Sequence, residues 1–179
     1  MADIETLDSQ IVYQNKWLTL REDKIQRRSG NTGIYSVVEK PDFAVIVPVL
    51  ESELILVNQF RYPLKKRCWE FPQGACESRP DISPTELATN ELREETGYQA
   101  ASMQELGFLA LAPGFCEQHY TIFIAKQLTQ LDRKLDIEEE DLIYQAFDIE
   151  DVEKMILSGE IVDATTVSAF FLAKNKGLI

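Results

Sequence analysis

Three glutamates in the middle of this 179-residue chain have the types and spacing of a metal site. If the segment around them is helical, Glu91 and Glu95 lie one turn apart within its apolar arc, and Glu94 borders that arc. Two carboxylates on a core-facing surface repel each other and are costly to bury without a cation. Because Arg93 falls on the opposite side of the helix, a hard divalent cation held by oxygen ligands is the simplest solution. Mg²⁺ is the usual occupant of such sites, with Mn²⁺ as the alternative.

The elements that position these glutamates follow a mixed α and β pattern. A capping box at Ser83 to Glu86 and a stop signal at Gly97 predict a helix over about Pro84 to Thr96. Extended or β-branched segments predict strands at about 17–27, 34–39, 43–50, 54–62, 103–110, 120–128 and 142–147. Two further helices are predicted at about 149–157 and 165–174. This order favours helices enclosing a sheet within one domain, with N-terminal strands at about 10–40 and a core at about 41–179.

The composition excludes several other kinds of function. The chain has 18 Lys and Arg against 30 Asp and Glu, and this net charge of -12 repels the phosphate backbone of nucleic acids. One histidine and three cysteines argue against a multi-histidine or cysteine-rich metal site and against a disulfide framework. The apolar run from Phe43 to Leu50 is too short for a membrane helix, and the N-terminus lacks the apolar region of a signal peptide. We therefore expect a cytoplasmic protein that binds neither nucleic acid nor membranes.

The segment around the three glutamates resembles the sequence box of the Nudix hydrolases. The second half of the box is present as ELREETGY at positions 91–98. The resemblance implies an α+β fold, a Nudix-type α/β/α sandwich with a mixed central sheet and an N-terminal antiparallel sheet. In this family a metal-activated water attacks phosphorus in a nucleoside diphosphate linked to another group. The resemblance implies Glu91 and Glu95 as the principal metal ligands, with Glu94 and the backbone carbonyl of Gln73 joining the shell.

The first half of the box departs from the family pattern. Asn90 stands where the family has arginine, and Ile82 stands where it has its first glutamate. Two extra residues also separate Gly74 from the helix. Glu77 and Asp81 are both candidates to replace the missing acid.

Residues outside the box, over about 10–175, resemble the ADP-ribose pyrophosphatase branch of the family. QFRYP at 59–63 followed by WEFPQG at 69–74 is similar to the branch's Q-x-R strand and its E-[LF]-P-A-G motif. The resemblance implies that Arg61 binds substrate phosphate, for which its forked guanidinium is suited. The residues alone leave open that Arg61 is a surface arginine at the end of a strand.

Two later segments extend this resemblance. LAPGFCE at 111–117 is similar to a loop that lies over the substrate, which implies a substrate-binding role for Gly114. GEIVDATT at 159–166 is similar to the motif that leads into the last helix of the branch.

The acidic run DIEEEDLIYQAF at 136–147 resembles the loop that supplies a further metal ligand and the general base. The resemblance implies Glu140 as the ligand and Glu138 as the base, so that Glu138, Glu140 and Glu94 are the candidate catalytic residues. The register among Glu138, Glu139 and Glu140 stays open. So does the alternative that the run is a solvated stretch without a catalytic role.

The function expected from the resemblance is Mg²⁺-dependent hydrolysis of the diphosphate bond of ADP-ribose or a related nucleoside diphosphate sugar, giving AMP and a sugar phosphate. FPQG at 71–74 also occurs in Nudix enzymes that act on dinucleoside polyphosphates or RNA 5′ ends, which gives one alternative. The departures in the box give another, a nucleotide-sensing Nudix domain without catalysis. The resemblance further implies a homodimer that exchanges N-terminal strands, with Trp17 facing the adenine.

Overall fold

An antiparallel sheet of three strands begins the fold. The structure is a computed structural model and describes residues 3–76, 79, 81–133, 135 and 140–179. The strands are β1 (Ile4–Gln14), β2 (Thr19–Arg27) and β3 (Thr32–Glu39), in the order β1-β2-β3. Every residue of β1 is exposed, whereas Asp23 and Ile25 of β2 are buried. N-terminal strands were expected from about residue 10, but no separate strand was predicted over β1, because a strand with no buried face lacks the regular apolar alternation that marks a strand.

A larger sheet of mixed direction forms the centre of the molecule. Its strands are β4 (Phe43–Leu50), β5 (Glu53–Arg61), β6 (Lys66–Glu70), β7 (Gln73–Gly74), β8 (Tyr98–Ala110), β9 (His119–Gln130) and β10 (Ile143–Asp148). The main path of the sheet runs β10-β5-β4-β9-β8; β6 pairs with β5, and β7 pairs with β4. The pair β4-β9 is parallel and the other pairs are antiparallel.

Helices cover both faces of this sheet. They are α1 (Pro84–Thr96), α2 (Ile149–Leu157) and α3 (Ala164–Asn175). Side chains alternate along β4, so that Ala44 and Ile46 pack in one core cluster with α1, while Val45 and Val47 pack in another with α2 and α3. The predicted α/β/α sandwich with a mixed central sheet and an N-terminal antiparallel sheet is therefore confirmed.

Both ends of α1 are fixed by the signals read from the sequence. The Ser83 hydroxyl accepts a hydrogen bond from the Glu86 N–H at 3.2 Å, and Pro84 begins the helix. Gly97 ends it with a φ of 76°, and its N–H donates to the Arg93 carbonyl. The helix therefore has the predicted bounds, and the rotation of its carboxylate-bearing face is set.

Several other bounds differ from the prediction. β8 begins at Tyr98, directly after α1, rather than near residue 103. The short strands β6 and β7 and the 3₁₀ turn at Tyr62–Leu64 were not predicted, because their hydrogen bonds come from partner strands and local turns. No helix in the described part of the chain has the length and apolar character needed to span a membrane.

Candidate active site

The glutamates of α1 are buried to the degree that helical periodicity predicts. Glu95 is fully buried, Glu91 and Glu94 are half-buried, and Arg93 is exposed. Leu92 and its apolar neighbours on the same side of the helix are buried with Glu95. The predicted ligands therefore lie on the side of the helix that faces the sheet.

The short strand β7 brings backbone atoms against these carboxylates. The N–H of Gln73 donates to Glu95 Oε2 at 3.2 Å. A Cβ atom built on Gly74 would lie 2.7 Å from Glu91 Oε1, so only glycine allows the carboxylate to come this close. Since β7 pairs with Val45 in the centre of the sheet, its backbone position is fixed. The structure thus brings Gln73, Glu91 and Glu95 together, and their role as metal ligands stays a prediction.

Glu91, Glu95 and the backbone of Gln73 form what we call the carboxylate cradle, and its oxygen donors fit a hard divalent cation. The carboxylates of Glu91 and Glu95 are hard oxygen ligands of the kind that Mg²⁺ selects. Among the described residues, no three His, Cys, Asp or Glu side chains already gather as a metal cluster. Mg²⁺ commonly keeps several waters and takes one or two carboxylates together with substrate phosphates. A bound diphosphate would therefore supply further oxygen ligands.

A cavity of about 440 Å³ opens beside β7, which is large enough for part of a nucleotide. Side chains from the central sheet, from the loop after β8 and from the start of α3 form its walls. They include Lys40, Phe43, Arg61, Leu64, Cys68, Glu70, Gln73, Leu111, Gln118, Val162, Asp163 and Thr165. Gly74 and Ala75 complete the wall nearest α1, so the cavity adjoins the carboxylate cradle.

Arg61 lines this cavity and forms an ion pair with Glu70. Its Nε donates to Glu70 Oε1 at 2.9 Å, and its Nη2 contacts Glu70 Oε2. The Glu70 side chain is 3% exposed and the Arg61 side chain 38% exposed. Burial lowers the pKa of Arg61, but the hydrogen bonds and charge of Glu70, with the charges of Asp163 and Glu95, outweigh it and raise the pKa above its ordinary value. Arg61 is therefore a permanent cation held in one orientation.

Gln73 and the start of α3 form the floor of the cavity. Asp163 caps α3 by accepting the Thr166 N–H at 2.8 Å. Thr165 Oγ1 lies 2.7 Å from Gln73 Oε1, and Gln73 Nε2 donates to Glu70 Oε2 at 2.9 Å. Sequence reasoning did not assign Glu70, Asp163 or Thr165 to the site. The motifs that contain them, WEFPQG and GEIVDATT, were the signal that could have found them.

Trp17 and Gly114 do not line the main cavity. Trp17 lines a separate depression of about 320 Å³ that shares Lys40 with the main cavity, and Lys16 Nζ lies 4.1 Å from its ring centroid. Gly114 is exposed, and its carbonyl accepts a hydrogen bond from the Tyr35 hydroxyl at 2.9 Å. Its neighbour Leu111 does line the main cavity. Substrate binding by Trp17 and Gly114 stays a prediction.

Candidate residues in the acidic run are only partly described. Glu138 and Glu139 lie outside the described residues, and so does Glu77 in the loop before α1. Glu140 is exposed in the turn before β10. The next residue, Asp141, is anchored to β6, since Arg67 Nη1 donates to its carboxylate at 2.7 Å. The roles of Glu138 and Glu140 therefore stay predictions.

Two family models match the chain in adjacent ranges. The NUDIX domain model matches residues 40–170, and the model described as nucleoside diphosphate sugar hydrolase N-terminal domain matches residues 4–38. The chain belongs to the Nudix hydrolases, as its box predicted. It is an enzyme of nucleoside diphosphate sugar hydrolysis, which confirms the predicted reaction class.

Named relatives agree with this assignment. The chain is 30% identical to an ADP-ribose pyrophosphatase of Mycobacterium tuberculosis, covering 93% of this chain and 81% of that protein. It is 28% identical to an ADP-ribose pyrophosphatase of Bacillus subtilis, covering 92% of this chain and 89% of that one. A crystal structure of an ADP compounds hydrolase superimposes with a TM-score of 0.87 at 22% identity, covering 100% of this chain and 98% of the other. That likeness establishes the shared fold.

Proposed function

We propose that this enzyme hydrolyses the diphosphate bond of ADP-ribose with Mg²⁺ and releases AMP and a sugar phosphate. The observation that carries the proposal is the junction at Gln73 and Gly74. On one side, the Gln73 N–H contacts Glu95, and Gly74 leaves room for the carboxylate of Glu91. On the other side, both residues line the cavity that contains Arg61. A diphosphate held at Arg61 would therefore lie next to the carboxylates. The names of the relatives support ADP-ribose as the first substrate to test.

Glu91 and Glu95 would hold the metal, with Glu94 assisting and the Gln73 carbonyl as a backbone ligand. When bound, Mg²⁺ lowers the pKa of a coordinated water and offsets charge on the phosphates. The protein fixes the ligands in advance, because the Gln73 N–H orients the Glu95 carboxylate and Gly74 leaves room for that of Glu91. Mn²⁺ offers the same charge and oxygen preference and is expected to substitute.

Two cations among the described cavity residues would bind the phosphates of the substrate. Arg61 is oriented by Glu70 and offers a planar fork to a phosphate. Lys40 is exposed where the cavity meets the depression that contains Trp17. A nucleotide that extends from one to the other would place its diphosphate near Arg61 and its base toward Trp17. Glu138 or Glu140 would then serve as the general base, and the loop of Gly114 would cover the substrate.

We further propose that the protein is a homodimer formed through its N-terminal strands. β1 exposes four aliphatic side chains, Ile4, Leu7, Ile11 and Val12, each by 45% to 60%. An exposed edge strand with an apolar surface readily pairs with another chain. Exchange of this strand between subunits would bury these side chains.

We place the enzyme in the cytoplasm. Its three cysteines, Cys68, Cys76 and Cys116, are thiols rather than disulfides in the structure. Reduced thiols are typical of proteins in a reducing compartment.

A substrate screen tests the proposed reaction. Purified enzyme is assayed with ADP-ribose, GDP-mannose, UDP-glucose, diadenosine polyphosphates and deoxynucleoside triphosphates, with Mg²⁺ or Mn²⁺, and products are separated by chromatography. The proposal predicts the highest kcat/KM for ADP-ribose, with AMP as a product. A preference for diadenosine polyphosphates would contradict it. Tight calorimetric binding of ADP-ribose without any AMP release would instead indicate a nucleotide sensor.

A further inference from the structure

Gln73 contacts three separate parts of the site with three different groups. Its backbone N–H donates to Glu95 on α1. Its side-chain Nε2 donates to Glu70, the partner of Arg61, at 2.9 Å. Its side-chain Oε1 lies 2.7 Å from Thr165 Oγ1 at the start of α3. The side-chain carboxamide of Gln73 therefore makes contacts that its backbone does not make.

The chemistry of the neighbours fixes the orientation of this carboxamide. Gln73 Nε2 lies 2.9 Å from Glu70 Oε2 and 3.4 Å from Asp163 Oδ2. Both neighbours are carboxylates, which accept hydrogen bonds and do not donate them. The NH₂ group must therefore face them, and the carbonyl oxygen must face the Thr165 hydroxyl. A donor group thus lies between two negative charges that would otherwise repel each other.

The same oxygen of Glu70 serves Gln73 and Arg61. Oε2 of Glu70 is contacted by Arg61 Nη2 and accepts the hydrogen bond from Gln73 Nε2. With Glu70 only 3% exposed, few waters can replace a lost donor there. Removal of the carboxamide would take away the contact to Glu70 Oε2 that comes from outside the ion pair, so that Glu70 and the guanidinium of Arg61 could turn together.

We propose that Gln73 is a positioning residue for Arg61. By holding Glu70 between the guanidinium and its own carboxamide, Gln73 keeps Arg61 oriented toward the cavity and so sets the affinity for the diphosphate of the substrate. The proposal rests on the assignment of Arg61 to substrate phosphate under the proposed function. It separates the side chain of Gln73, which acts on binding, from its backbone, which acts on the metal ligand Glu95.

The variant Gln73→Met tests this role, because methionine keeps the length of the side chain and removes its donor and acceptor. Gln130→Met is the matched control, since the Gln130 carboxamide contacts Tyr144 at the end of β9 and does not line the cavity. Steady-state kinetics with ADP-ribose and Mg²⁺ should show a KM raised about tenfold by Gln73→Met, with kcat within about twofold of wild type. Calorimetry of ADP-ribose without metal should show a matching loss of affinity.

A double-mutant cycle with Arg61→Lys decides whether Gln73 acts through Arg61. In the Arg61→Lys background, Gln73→Met should change KM by less than about twofold. The same tenfold effect in both backgrounds would overturn the proposal, as would unchanged KM and unchanged affinity in the single variant. A wild-type enzyme that binds ADP-ribose without hydrolysing it would contradict the proposed function alone, and the calorimetric comparison would still decide the role of Gln73.

Discussion

Glu70 offers a sharp test of how the substrate cavity is held together. Its buried carboxylate accepts hydrogen bonds from Arg61 and from Gln73. The substitution Glu70→Gln keeps the shape of the side chain but removes its charge and directs an NH₂ group at neighbours that are themselves donors. The charge-assisted bonds to Arg61 are lost, and part of the guanidinium is left facing an amide.

The structure sets the size of this effect. A hydrogen bond to a charged group contributes about 1.5–3 kcal/mol to stability. Because 38% of the Arg61 side chain is exposed, water takes over part of the lost interaction, and we expect a loss of about 2 kcal/mol. For a domain of this length, that loss lowers Tm by about 4–8 °C.

Thermal unfolding followed by circular dichroism measures this change. Asp8→Asn is the control, since Asp8 pairs with Lys24 at 3.1 Å between two strongly exposed side chains and also exchanges a carboxylate for an amide. Surface pairs of this kind contribute little, so we expect its Tm to change by about 1 °C or less. A Tm for Glu70→Gln as close to wild type as that of Asp8→Asn would refute the view that Glu70 anchors Arg61.

Two further substitutions test the supports around the site. Gly74→Ala places a methyl group against the carboxylate of Glu91. The Mg²⁺ concentration for half-maximal activity should therefore rise about tenfold at nearly constant Tm. An unchanged Mg²⁺ requirement would contradict the role of Gly74 in making room for a metal ligand. Thr166→Val leaves the buried N–H of Phe71 without its acceptor, and urea unfolding should show a loss of about 1–3 kcal/mol. Thr166→Ser keeps the hydroxyl and serves as its control; equal losses in both variants would mean that the hydrogen bond is not the cause.

The helix that carries the glutamates could be predicted from the sequence because its signals are local. Ser83 and Gly97 mark its ends through contacts within a few residues, and the 3.6-residue period then places Glu95 on the buried side. The central strand β4 could be predicted in the same way from its continuous apolar run.

The ion pair between Arg61 and Glu70 could not be predicted, because it depends on how two strands pair. β5 and β6 are antiparallel, with Val57 opposite Glu70 and Arg61 opposite Lys66. This register places the two residues at opposite ends of the strand pair, so their side chains meet along the sheet rather than between paired positions, and no periodicity within either strand reveals the contact. A resemblance that assigned Arg61 to phosphate therefore missed the residue that orients it.

The floor of the cavity was missed for a similar reason. Asp163 and Thr165 have the pattern of a helix N-terminus, and Asp163 does cap α3. Their second role, next to Gln73, arises only because α3 packs beside β7, a contact between segments 90 residues apart in the chain. Strand β1 was missed for a different reason. It pairs with β2, but all of its residues are exposed in this chain, so no buried face leaves a pattern in its sequence.

Substitution of Glu95 tests most directly whether the metal binds to the glutamates of α1. We expect Glu95→Gln to lower Mg²⁺-dependent AMP release from ADP-ribose by more than about a hundredfold, since a lost ligand should cost more than a lost outer-shell partner. Its fold should be retained, because the amide keeps the size of the side chain and an acceptor for the Gln73 N–H; circular dichroism checks this. A folded Glu95→Gln enzyme that releases AMP at the wild-type rate would contradict the placement of the metal on α1.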